Sequence, residues 1–308
     1  MNNTLSFGLI IVLLMLSLGC ESQQTVNPGN NNRVAHQQGR KPFNVYAFIA
    51  YGGYTQNGQN VNASHQQLQQ YLHSFGIHKL NLIYETRLLD YPNGDKKNGI
   101  PNIHHIDSLG ILAKNEPDIP VSLDLEEWNR FDTVKTPARF IAVINEFRKV
   151  NSISQVGLYA TVPQNTYAYS EAIHKNDKLN KAYSVVAAAV DYFSPSLYNY
   201  NGSDTSAWTK NAVYNLNACK QYQFPAKKIL PYITPEVTQN GVTTLLSYDE
   251  MWNRLQILYN LGADGCLIWT SSKTRDVNGN KVYVDVNSGW AKAVKDFIAR
   301  HPNPSSEN

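Results

Sequence analysis

Short apolar runs alternate with longer amphipathic stretches along most of this 308-residue chain, and that alternation limits the folds open to it. Seven segments rich in β-branched, aromatic and leucine residues read as strands: 43–51, 79–85, 119–125, 155–161, 191–198, 228–234 and 265–269. Helical stretches separate and follow them. The first runs from a Ser64 cap to Ser74, and the others cover 104–115, 137–150, 178–189, 208–222, 248–261 and 290–300. Repeated strand–helix alternation predicts an α/β fold with a parallel sheet covered by helices. No Gly-rich phosphate loop follows any strand. The predicted architecture is therefore a (β/α) TIM-like barrel of seven strands, not a nucleotide-binding open sheet.

In such barrels the chemistry sits at the C-terminal strand ends. Here those ends carry Tyr51, Tyr84, Glu85, Asp124, Glu126, Trp128, Tyr159, Tyr198, Glu236 and Trp269, an acidic and aromatic set. The third strand closes on Val121-Ser122-Leu123-Asp124-Leu125-Glu126-Glu127-Trp128. Strand side chains alternate faces, so Asp124 and Glu126 point the same way, with Cβ atoms roughly 6–7 Å apart. Two neighbouring carboxyls resist ionising together, which raises one pKa and makes an acid and a base from one strand. The plainer alternative is a solvated loop with ordinary surface acids. Glu127 faces the other way and reads as a surface or capping acid.

Composition narrows the partners. The 19 tyrosines and 5 tryptophans suit sugar faces as well as a wide core. A net charge of +3, with no Lys/Arg block, argues against nucleic acid. The neighbours His104 and His105 and the distant pair Cys219 and Cys266 have no metal-ligand spacing, so no metal and no cofactor are expected. Cys266 lies in an apolar strand, where a thiol behaves as a small apolar side chain.

The apolar run Leu9–Leu18 is too short for a confident span. Ser17-Leu18-Gly19-Cys20 is similar to a bacterial lipobox. Residues 1–20 then read as a lipoprotein signal peptide with Cys20 as the lipidation site. Residues 21–41, rich in Gln, Asn and Gly, read as a flexible tether, 42–301 as the catalytic barrel and 302–308 as a loose tail. This places the protein at the bacterial cell envelope, as an outer-membrane lipoprotein held by its lipid anchor, with secretion as the alternative.

With the strand ends aligned, the chain resembles the hyaluronidase family of glycoside hydrolases. Four segments carry the resemblance in order: Asn98-Gly99-Ile100-Pro101-Asn102, Asp124-Leu125-Glu126-Glu127-Trp128, Ser194-Pro195-Ser196-Leu197-Tyr198 and Leu267-Ile268-Trp269-Thr270-Ser271-Ser272. The resemblance implies a distorted seven-stranded barrel and a retaining endo-N-acetylhexosaminidase acting on hyaluronan-like or other 2-acetamido-sugar polymers. It implies substrate-assisted catalysis, an exception to the two-carboxylate scheme. In that reading Glu126 is the acid/base, Asp124 orients the acetamido group and Tyr198 hydrogen-bonds its carbonyl. Trp269 walls the acetamido pocket, and Tyr159 matches a further family tyrosine. By their places at strand ends, Trp128, Tyr51, Glu85 and Glu236 are candidate substrate contacts beside that set, with ordinary packing or solvation as the alternative. Two alternatives stand beside it: a glycosidase of the same barrel type on a different glycan, and a glycan-binding surface lipoprotein with no activity.

Overall fold

The structure, a computed structural model, describes residues 41–276 and 278–302. The leader with Cys20, the tether up to residue 40 and the tail from 303 lie outside the described residues. The helices form close to where the sequence puts them. Ser64 caps the helix His65–His73 and Ser247 the helix Tyr248–Asn260, each in a reciprocal capping box. Asn102 caps Ile103–Lys114 and Asp204 caps Thr205–Gln221. The stretch 178–189 breaks at Tyr183 into Asp177–Ala182 and Ser184–Ala189.

The parallel strands form an α/β barrel-like sheet, but not the continuous ring of seven that the sequence predicts. Tyr232–Ile233, Gly265–Trp269, Asn44–Phe48 and Ile77–Lys79 make one ladder. Asn81–Tyr84, Val121–Asp124 and Val156–Leu158 make a second, and Tyr192–Phe193 pairs with Lys228–Ile229. The interruptions have local causes. At Leu80 the chain changes partner: the Leu80 N–H donates to Ala47 O, and the next N–H donates to Pro120 O. Pro195 and Pro231 have no N–H to give a ladder, so the strands around them shorten. Separate hydrogen bonds cross these seams, from Asp191 N–H to Val156 O and Ala160 N–H to Ser194 O at one, and from Tyr232 N–H to Pro195 O and Leu197 N–H to Tyr232 O at another.

Strand alternation sorts the side chains into two cores. Val45, Ala47, Ile83, Val121, Leu123, Val156, Leu158, Phe193, Ile233, Cys266 and Ile268 point outward and pack under the helices. The opposite parity points inward, where Tyr46, Phe48, Leu82, Tyr159, Tyr192, Tyr198, Tyr232, Leu267 and Trp269 form a separate cluster. Tyrosine fills this interior because its hydroxyls find partners there: Tyr192 donates to Val121 O at 2.8 Å and Tyr232 to Ser122 Oγ at 2.7 Å. Gly157 makes room, since a Cβ there would sit 2.4 Å from the Tyr192 ring. Cys219 and Cys266 are buried free thiols.

Two antiparallel hairpins, Gly53–Gln56 with Gln59–Asn62 and Glu236–Gln239 with Val242–Leu245, decorate the sheet. They turn at Asn57-Gly58 and Asn240-Gly241, all four residues with positive φ. Among the described residues, no helix is long and apolar enough to cross a membrane.

Candidate active site

The inward parity that buries tyrosine lower in the sheet brings different residues to its rim. Asp124 has that parity on the strand Val121–Asp124, and Tyr84 is its register partner on the neighbouring strand. Together with Leu82, Tyr159, Tyr198, Tyr232 and Trp269 they line a cavity of about 490 Å³. Glu85, Thr86, Glu126 and Glu127 complete its wall. Among the described residues, no group of three or more His, Cys, Asp or Glu is placed to hold a metal ion.

Asp124 and Glu126 hydrogen-bond to one another. Among the described residues, no amide, hydroxyl or guanidinium donates to either carboxyl, and Asp124 Oδ1 is buried without such a donor. Asp124 is pushed up to about 8, first by burial, then by the charge of Glu126, with Glu85 adding to it. Glu126, whose side chain opens to the cleft, is also raised. Desolvation of its carboxyl is the main cause, Glu85 and Glu127 contribute, and the hydrogen bond with Asp124 opposes them. The pair therefore keeps one proton near neutral pH. Burial and the neighbouring Glu126 charge favour Asp124 as its holder.

Glu85 fixes the turn that carries Glu126. Its Oε2 accepts the backbone N–H of Glu126 at 3.0 Å and of Glu127 at 3.1 Å. Aromatic rings form the opposite wall. Tyr198 stacks on Trp269, with centroids 5.7 Å apart and planes at 24°. Trp269 Nε1 donates to the Tyr84 hydroxyl at 3.1 Å, which fixes the indole plane. The Tyr159 hydroxyl meets Ser196 Oγ at 3.2 Å, and its ring lies edge-on to Tyr232 at 5.0 Å.

The chain is similar in fold to bee venom hyaluronidase. The two superpose with a TM-score of 0.52 at 15% identity, over 84% of this chain and 96% of that one. The bee venom enzyme in complex with a hyaluronic acid tetramer aligns with a TM-score of 0.49 at 17% identity, over 84% and 95%. The β-D-glucuronidase of Dictyoglomus thermophilum aligns with a TM-score of 0.50 at 15% identity over 85% of this chain, which spans about half (51%) of that protein. No family model matches the chain, and no curated protein matches it in sequence. At these identities the likeness is one of fold, the α/β barrel-like fold.

Of the residues singled out in the sequence, Asp124, Glu126, Tyr198, Trp269, Tyr159 and Glu85 meet in the one cavity. Trp128, Tyr51 and Glu236 do not join them there. Trp128 is 4% exposed beneath the rim, donating to Gly99 O at 3.0 Å and packed edge-on to Phe140. Tyr51 donates to Glu236 Oε1 at 3.0 Å outside the cavity lining. Glu127 pairs with Lys96 at 3.7 Å on the rim. Tyr232, Leu82, Thr86 and Glu127 escape sequence reasoning as site residues; Glu127, expected to face the other way, lines the cavity because the strand has already ended at Asp124. Inward parity was a usable signal for Leu82 and Tyr232, but Thr86 lies in a 3-10 turn outside any such pattern.

Proposed function

We propose that this protein is a glycoside hydrolase of 2-acetamido sugars that works by substrate assistance. The observation that carries the reading is the hydrogen-bonded Asp124–Glu126 pair, short of donors, in an aromatic cavity. Retaining enzymes with two working carboxylates hold them about 5–5.5 Å apart, and inverting ones farther, so that the anomeric centre fits between. We read Asp124 and Glu126, two residues apart at one strand end, as neighbours on one side of the scissile bond and not as a pair flanking it. Glu85 is spent on two backbone N–H groups, which argues against it as the nucleophile. The nucleophile is then supplied by the substrate.

In this reading the sugar lies against the Tyr198–Trp269 wall. Its acetamido N–H donates to Asp124, supplying the donor the carboxyl lacks. That contact stabilises the Asp124 anion and moves the shared proton to Glu126. Glu126 protonates the glycosidic oxygen as the acetamido carbonyl oxygen bonds to the anomeric carbon. Tyr198, with its hydroxyl at the cavity, donates to that carbonyl and orients it. The Glu126 carboxylate then takes a proton from water, which opens the oxazolinium ring with retention. The polymer on offer is hyaluronan-like or another 2-acetamido glycan, and a lipid on Cys20 would hold the barrel at the cell envelope.

The test is Glu126→Gln. Oligosaccharide products should disappear, while the circular dichroism spectrum and oligosaccharide binding persist. Turnover within tenfold of the parent chain would remove Glu126 from the acid role.

A further inference from the structure

Three residues beyond Glu126 have no part in that chemistry: Phe131 and Tyr167, both exposed, and the half-buried Arg130. A small cavity of about 50 Å³ adjoins the main one, shares Glu126 and Tyr159 with it, and reaches Arg130, Asn165 and Tyr167. The Arg130 guanidinium lies between two rings, 5.1 Å from the Phe131 centroid and 5.4 Å from that of Tyr167. Phe131 is 67% exposed and Tyr167 49%, and Tyr167 lines the same small cavity as Glu126.

Their arrangement is built, not left loose. Arg130 Nη1 donates to Asn165 O at 2.6 Å. Tyr167 has a φ of 54°, a left-handed conformation that a bulky side chain rarely adopts. Asn165 Oδ1 accepts the Tyr167 N–H at 2.9 Å, and Asn211 Nδ2 donates to the Tyr167 carbonyl at 3.1 Å. Asn165 itself is 6% exposed. One buried asparagine thus sets both the cation and the ring, and over-determined backbone of this kind gathers at ligand sites.

We propose that Arg130, Phe131 and Tyr167 form the platform for the sugar on the leaving-group side of Glu126. The pyranose ring stacks on Tyr167, and its oxygens accept from the outer N–H groups of Arg130. The inference rests on the glycosidase reading for which side of the bond this is. The aromatic wall at Trp269 holds the acetamido sugar on one side of the acid, and the platform holds the next unit on the other. Hydroxyl and carboxylate oxygens share this acceptor chemistry, and Arg130 separates them because a guanidinium–carboxylate contact is charge-assisted.

Two measurements test it. The first compares kcat/KM for an N-acetylglucosamine hexamer and an aryl 2-acetamido glycoside, which carries no sugar beyond Glu126. Tyr167→Ala should lower the hexamer-to-aryl ratio about tenfold, mainly through KM, the loss expected for one stacked ring. Phe131→Ala, at an exposed position, is the second variant and should lower it in the same direction. Arg130→Gln should lose more on a hyaluronan hexasaccharide than on the neutral hexamer if the site takes a carboxylate, and equally on both if it takes hydroxyls. An unchanged ratio in both aromatic variants overturns the platform. The second measurement is binding of each hexamer by Glu126→Gln with and without Tyr167→Ala. About tenfold weaker binding in the double variant supports the platform, and equal affinities reject it. If the parent chain cleaves nothing, the hydrolase reading fails and this binding comparison decides the platform alone.

Discussion

Asp124→Asn should stabilise the fold while removing activity, and the gain should grow with pH. The folded chain holds Asp124 at about 8, against 3.8 for the free side chain. A folded pKa raised above the unfolded one stabilises fully at low pH and loses that contribution as pH rises toward the folded value. Through that window the native state keeps a proton that the unfolded chain has released, at about 1.4 kcal/mol per pH unit. Between pH 5 and pH 7.5 the parent chain should therefore lose up to about 3 kcal/mol from this site. Asparagine keeps the shape, cannot ionise and can donate to Glu126, so the variant escapes that loss. Urea unfolding of both proteins at the two pH values measures the difference directly. The variant's advantage should widen by about 2–3 kcal/mol between them. Parallel stability profiles would show that Asp124 carries no raised pKa, and the shared-proton argument would fall.

The remaining predictions concern Glu85, the pH–rate profile and the leader. Glu85→Gln keeps an oxygen for the Glu126 and Glu127 N–H groups but loses the charge. It should retain turnover and move the alkaline limb of kcat/KM, expected near pH 8 from the last proton of the pair, to lower pH. Glu85→Ala loses the clamp as well and should lower kcat about 10–100-fold, as misplacement of a working group does. An alkaline limb that stays put in Glu85→Gln would contradict the electrostatic part of this account. Cys20→Ala should shift the protein from the membrane to the soluble fraction of a cell lysate, and unchanged partitioning would rule out the anchor.

Much of the site was legible because it depends on strand parity. Alternation from Val121 put Asp124 and Glu126 on one face, and the same rule put Tyr198 and Trp269 at other strand ends facing them. Parity fails beyond the strand's end. Trp128 shares the Glu126 parity in sequence, yet the chain has turned, and its indole packs on Phe140 under the rim. The length of the strands was less legible. Proline at 195 and 231 and the partner change at Leu80 divide runs that read as single strands in sequence. The two hairpins had a readable signal in Asn57-Gly58 and Asn240-Gly241. Their strands are polar and short, so hydrophobic periodicity passed over them. Glu85 lines the cavity as expected, but nothing local in the sequence reveals that its carboxylate also accepts two N–H groups some forty residues away.

The central claim is that the substrate brings its own nucleophile to the Asp124–Glu126 pair. The most direct measurement compares one oligosaccharide before and after removal of its N-acetyl groups, with the anomer of the first product read by proton NMR. The acetylated form alone should be cleaved, with retained configuration. Comparable cleavage of the de-N-acetylated form, or an inverted first product, would contradict it.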